Sequence, residues 1–242
     1  MRFRLIYISV ILLLLSFHDL NGQVECKQLL LNYLDEMSVP DIPDEGKVYY
    51  LQAQYQYDFY EKYGIKDFNS EVEVYMSKDQ AIYETPQISY FNDSNDLFVI
   101  YHTMDRIIWS KGVQNPKASL QKIDILQIQK QLVESGTITF CKKVRINRRK
   151  YKKIELVFNK ELQKETHVVK MSFLYDLKKK VLREIWAYFT DDQKLRSQKI
   201  TINKIDFDYK GWYPVPVKEL IFDKNGNLNS RFSHYHIINN KN

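Results

Sequence analysis

The chain has 242 residues, 44% of them apolar and 14% aromatic, and its 36 Lys and Arg against 30 Asp and Glu leave a net charge of +6. Its seven glycines include no G-x-G pair, so no backbone can close on a phosphate as dinucleotide and P-loop sites require. Eighteen tyrosines and many β-branched residues, with so little glycine, favour extensive sheet.

At the N-terminus, Arg2 and Arg4 precede an apolar run from Leu5 to Leu15, followed by His18-Asp19-Leu20-Asn21-Gly22. That is the pattern of a cleaved signal peptide over residues 1–22, and the run is too short to span a bilayer. The expected mature protein, residues 23–242, is a single periplasmic or secreted domain. Export removes cytosolic ATP, NAD and nucleic-acid chemistry from consideration. A lipid-modified Cys26 is not expected, because Glu25 stands where a lipobox needs a small residue. Cys26 and Cys141 are the only cysteines. In an oxidising compartment they form a candidate disulfide, with two buried free thiols as the alternative.

Residues 25–37 read as an amphipathic helix, with Cys26, Leu29, Leu30, Tyr33, Leu34 and Met37 on one face. After Gly46 the period becomes two: Tyr49, Leu51, Ala53, Tyr55, Tyr57 and Phe59 oppose Tyr50, Gln52, Gln54, Gln56 and Asp58. A second alternation runs over residues 71–77, and short strands are expected at 81–84, 87–91, 97–102 and 106–109, joined by polar turns. Connections so short permit only an antiparallel meander. Asn115-Pro116 opens a second helix, and Gly136 is placed to end it. Strands follow at 137–146, 152–158, 167–176, 181–190 and 199–209. Asn225-Gly226 marks a last hairpin between Val217–Phe222 and Leu228–Ile237. The fold class is therefore α+β, a large curved antiparallel β-sheet with covering helices, whose curl leaves an inner surface to fill.

Three stretches carry a family resemblance: Val72-Glu73-Val74-Tyr75-Met76, Asp96-Leu97-Phe98-Val99-Ile100-Tyr101-His102 and Arg106-Ile107-Ile108-Trp109. Their succession, the helix over 116–134 and the hairpins over 152–209 resemble the LolA-like superfamily of periplasmic lipoprotein carriers and their relatives. The resemblance implies a half-barrel whose apolar cavity binds acyl chains beneath helical lids. Residues 211–242, with Tyr213-Pro214-Val215-Pro216, extend beyond the length it implies.

On this reading the cavity is lined by Leu51, Tyr55, Tyr57, Val74, Met76, Ile100 and Trp109, and the ligand is a lipid or other apolar molecule. A basic patch at Lys142, Lys143, Arg145, Arg148, Arg149 and Lys150, continued by Lys152 and Lys153, would face an anionic membrane surface or an envelope protein, and nucleic acid is not an expected partner. Its plainer reading is a solvated hairpin. Tyr50 with Gln52, Gln54 and Gln56 is the better place for a glycan, but core lining is the preferred reading of the tyrosines. His234 and His236 share a strand face without a third ligand, so no metal and no cofactor are expected. Asp93, Asp96 and Asp105, the Asp191-Asp192 pair and the Asp223–Asn227 segment read as turn residues. Ser110, Ser119 and Ser135 lack a nucleophile elbow, so no enzyme is expected. The alternative to a lipid carrier is a ligand-free adaptor in an envelope-associated assembly.

Overall fold

The computed structural model describes residues 22–35, 43–113, 125–212 and 214–241. Residues 1–21 of the signal-peptide stretch, Met37, Ser119 and the Asn115-Pro116 helix start lie outside them. In chain order, helix α1 (residues 22–35) is followed by β1 (Tyr49–Phe59), β2 (Phe68–Met76), β3 (Ala81–Glu84), β4 (Ile88–Asn92), β5 (Asp96–Tyr101) and β6 (Arg106–Lys111). Helix α2 (Ile125–Ser135) leads to β7 (Thr137–Ile146), β8 (Arg149–Val157), helix α3 (Lys160–Thr166), β9 (Val168–Asp176), β10 (Val181–Phe189) and β11 (Leu195–Asp206). Helix α4 (Val217–Ile221) and β12 (His236–Asn239) complete the series. The twelve strands form one sheet in the order β12-β6-β5-β4-β3-β2-β1-β11-β10-β9-β8-β7. The runs β1–β6 and β7–β10 are antiparallel meanders, as the short connections require, whereas β12 joins β6 in parallel.

The chain divides into two compact units. The first comprises Met1–Ser38, Asp58–Lys66 and Leu126–Lys199. Its helices bury the stripes their periodicity forms: Cys26, Leu30, Tyr33 and Leu34 from α1, Leu132 and Val133 from α2. On the strands, Ile154 pairs with Phe173 and Phe173 with Ile185, and all three are buried. The Tyr33 ring meets that of Tyr175 edge-on at 5.9 Å. Lys27 Nζ donates to the carbonyls of Glu134 and Gly136 at the end of α2, and Lys130 pairs with Asp35. Gly136 ends α2 by donating to the Leu132 carbonyl. A Cβ there would stand 2.8 Å from Leu156 Cδ2 and 2.9 Å from Phe158 Cε1, so no larger residue fits without displacement. Helix α3 has no counterpart in the sequence reading. It carries no buried residue and is set by its ends, Asn159 accepting from the Leu162 N–H and His167 turning left-handed at φ 58°.

The second unit comprises Val39–Tyr57, Asp67–Ile125 and Ile200–Asn242. Register aligns residues into rows across its meander. One row runs Tyr50, Tyr75, Ile82, Phe91, Phe98 and Trp109; the next, on the other face, runs Leu51, Val74, Tyr83, Tyr90, Val99 and Ile108. The first row is the floor of the core. Ile82, Phe91, Phe98, Ile100 and Ile107 are buried with Val217, Ile221 and Phe232 of the C-terminal segment.

That segment departs from the expected hairpin. Val217–Ile221 is a helix, because positions four apart place Val217 and Ile221 together in the core, both fully buried. The Asn225-Gly226 turn does form, with Gly226 at φ 82°, but it closes only the single bridge Phe222↔Leu228. The last strand is confined to His236–Asn239.

Candidate ligand-binding face

The second row defines the candidate site. All six of its side chains are half-buried, neither sealed in a core nor standing free in solvent. On β1 the same face continues through Tyr55 and Tyr57, whose rings stack at 6.2 Å, and Tyr57 stacks on Phe68 at 4.7 Å. Burial pushes the Tyr55 hydroxyl well above its ordinary range, with the Tyr83 and Tyr57 hydroxyls adding to the shift. Burial also raises Tyr83, again with help from Tyr57. Three phenols thus share a poorly solvated patch beside an aliphatic row. Such a surface can cover an acyl chain and offer hydroxyl donors to its polar end.

Leu51, Tyr55, Tyr57, Val74 and Met76, all expected to line a cavity, do share this face. Met76 lies at its buried margin, opposite Ala81. Ile100 and Trp109 do not belong to it. Both point to the opposite face, where Ile100 is fully buried and Trp109 packs against Phe98 and Phe222 at 5.5 and 5.4 Å. The physical reason is that β5 is apolar on both faces, so its composition cannot say which side is hollow. Tyr83, Tyr90, Val99 and Ile108 were missed. Counting pairs outward from the Thr85-Pro86 and Asn92–Asp96 turns would have found them.

Three polar clamps hold the filled face shut. Asp93 is buried, and its Oδ1 accepts from the N–H groups of Asn95 and Asp96 while its Oδ2 accepts from Val217 N–H at 2.9 Å. Asp96 Oδ1 accepts from Trp109 Nε1 and from Lys241 Nζ, each at 2.6 Å. His102 bridges Ser89 Oγ at 2.8 Å and Tyr235 Oη at 2.6 Å. Ser89 is fully buried, so its pairing with a histidine fastens the segment and presents no nucleophile. Asp93 and Asp96 thus do more than shape their turn. Asp105 turns left-handed at φ 50°, and His234 lies 3.5 Å from its carboxylate. His236 opens β12, so the two imidazoles share no strand face.

The candidate glycan face is closed at its Tyr50 end, while Gln54 is exposed and Gln52 and Gln56 are half-buried. Tyr50 is buried and stacked on Tyr209 at 4.4 Å, and its hydroxyl donates to Glu73, which also accepts from Tyr75. Burial, then the Glu73 charge, pushes the Tyr50 hydroxyl up to about 12. A cleft of about 300 Å³ lies between Lys47, Ser77, Gln80 and Asp93 and the Val215 stretch.

In the first unit, β7 and β8 bring the predicted basic residues onto one hairpin: Lys142 opposite Lys153, Lys143 opposite Lys152, Arg145 opposite Lys150. Cys141, at the inner part of the same hairpin, is bonded to Cys26 of α1, with Cα atoms 6.5 Å apart.

No family model matches the chain, and no curated protein matches it in sequence. Among solved structures it is similar to an uncharacterized conserved protein from Thermus thermophilus, at 7% identity and a TM-score of 0.40 over 88% of this chain and 98% of that one. It is similar also to a LolA superfamily protein from Nitrosomonas europaea, at 11% identity and 0.28 over 82% and 97%. The Mycobacterium tuberculosis lipoprotein LppX aligns at 11% identity and 0.38 over 78% and 97%. LolA-like proteins thus stand among its structural neighbours; superposition at this level assigns no activity.

Proposed function

We propose that this is an exported, non-enzymatic protein that holds a lipid or other apolar ligand on the tyrosine-lined face of β1–β6. One observation carries the reading. Of two apolar faces on the same meander, one is filled by the chain's own C-terminal segment, while the other keeps a six-residue row half-buried. An acyl chain covering about 300 Å² of apolar surface would gain about 7.5 kcal/mol at about 25 cal/mol per Å², before the losses of association. The phenols of Tyr55 and Tyr83 would meet the polar end.

Export is supported by the Arg2-to-Leu15 pattern and by a disulfide of the kind that persists in oxidising compartments. Gently purified protein extracted into organic solvent is expected to release a stoichiometric lipid. The Val99→Gln variant, folded by circular dichroism, should release several-fold less. A clean extract from the unaltered protein overturns the ligand reading and leaves the adaptor alternative, for which the basic hairpin is the available surface.

A further inference from the structure

The β7–β8 hairpin concentrates charge in a way that works against its own stability. Three like-charged pairs face one another across the strands, Lys142 with Lys153, Lys143 with Lys152 and Arg145 with Lys150. Like charges directly opposed in an antiparallel pair destabilise it. The turn compounds this. Asn147 at φ 48° and Arg148 at φ 65° form a two-residue connection with both central residues left-handed. The second place in such a turn ordinarily falls to glycine, which has no Cβ to strain. Here an arginine occupies it.

Next to the turn stands Ile146, an exposed aliphatic side chain 43% open to solvent, directly opposite Arg149. Among the described residues no carboxylate forms an ion pair with Lys142, Lys143, Arg145, Arg148, Arg149 or Lys150. Asp176, on the neighbouring strand, commits Oδ1 to the N–H groups of Lys178 and Lys179. A basic tip at which, among the described residues, only Arg149 feels a nearby carboxylate, that of Asp176, and which carries an aliphatic residue at its apex matches a surface that is anionic outside and oily just beneath.

We infer that this hairpin tip docks on an anionic phospholipid bilayer. Arg145, Arg148, Arg149 and Lys150 meet the phosphates, and Ile146 enters the interface. An acidic protein would answer the charges but gives the exposed Ile146 no specific place. The inference does not depend on the ligand reading, because the hairpin belongs to the first unit and the tyrosine-lined face to the second.

Flotation with phosphatidylcholine vesicles, with and without phosphatidylglycerol, tests it on the full protein. Binding is expected only with phosphatidylglycerol and should fall as salt rises. Each charge removed among Arg145, Arg149 and Lys150 by substitution to Gln should weaken binding about fivefold. Ile146→Ser should weaken it about tenfold at unchanged charge. Arg148→Gly relieves the turn, so it guards against misfolding as a cause, and it should still bind about fivefold more weakly. Binding indifferent to anionic lipid, no binding at all, or full binding by the Ile146→Ser and Arg148→Gly variants overturns the inference. Capture of polyglutamate-coated beads in place of the vesicles would do the same and point to an acidic protein.

Discussion

His102 shows how one side chain can join sequence-distant parts of the second unit. Its two ring nitrogens reach Ser89 on β4 and Tyr235 beyond α4. Burial first, then the positive charge of Arg231, hold its pKa below the ordinary 6.5, against the opposing pull of Glu84 and Asp105. The unfolded chain therefore binds its proton at a higher pH than the folded one. Stability from this site is complete above about pH 6.5 and declines as the pH falls toward the depressed folded value. Denaturant titrations at pH 7.5 and 5.5 should show a larger loss for the unaltered protein than for His102→Gln. Equal losses would place the imidazole in an environment indifferent to its charge. Arg231 and Glu84 form an ion pair beside this site and should be left intact in that comparison.

At the scale of elements, the C-terminal segment is fastened by backbone-directed side chains as much as by apolar burial. Helix α4 is only five residues long and has no side-chain cap of its own at Pro216. Asp93 supplies the missing acceptor by taking the Val217 N–H, while also closing its own turn. Asp93→Ala removes a carboxylate that accepts three N–H groups in a buried place, and should cost about 2–4 kcal/mol in a denaturant titration. Asp93→Asn should recover only part of that loss, because its single amide oxygen can accept from Asn95 and Asp96 or from Val217 but not from both, and its NH2 would then face an N–H donor. If Asp93→Ala unfolds at the same denaturant concentration as the unaltered protein, the clamp contributes nothing. Beyond it, β12 covers the outer edge of β6, with Ile237 and Ile238 left partly exposed on the sheet's new edge.

For the whole molecule, the largest constraint on the unfolded chain is the Cys26–Cys141 bond, which spans 115 residues of sequence. Closing a loop of that length stabilises the folded state by about 3–5 kcal/mol in the chain-entropy account. The Cys26→Ser, Cys141→Ser double variant should therefore unfold at a clearly lower denaturant concentration. Reductant should bring the unaltered protein to the same midpoint. A midpoint insensitive to reductant would mean that the bond is absent from the protein in solution.

How much of this was legible beforehand follows from where the information lies along the chain. The period-two pattern of Tyr49–Phe59 and the polar turns at Thr85-Pro86 and Asn92–Asp96 are local, and local sterics make a meander of them in any context. The α1 stripe is likewise written at three- and four-residue spacing: of the residues it names, Cys26, Leu30, Tyr33 and Leu34 are buried, Leu29 is half-buried and Met37 lies outside the described residues. Leu97-Phe98-Val99-Ile100 is different, since apolar residues on both faces leave either side free to be the core. The choice falls to residues more than a hundred positions later, where Val217, Ile221 and Phe232 cover Phe98 and Ile100 and leave Val99 on the candidate site. Residue type and spacing therefore determined that a broad antiparallel sheet forms. Tertiary structure alone decided which of its faces is filled, because burial belongs to whatever packs against a side chain and not to the side chain itself.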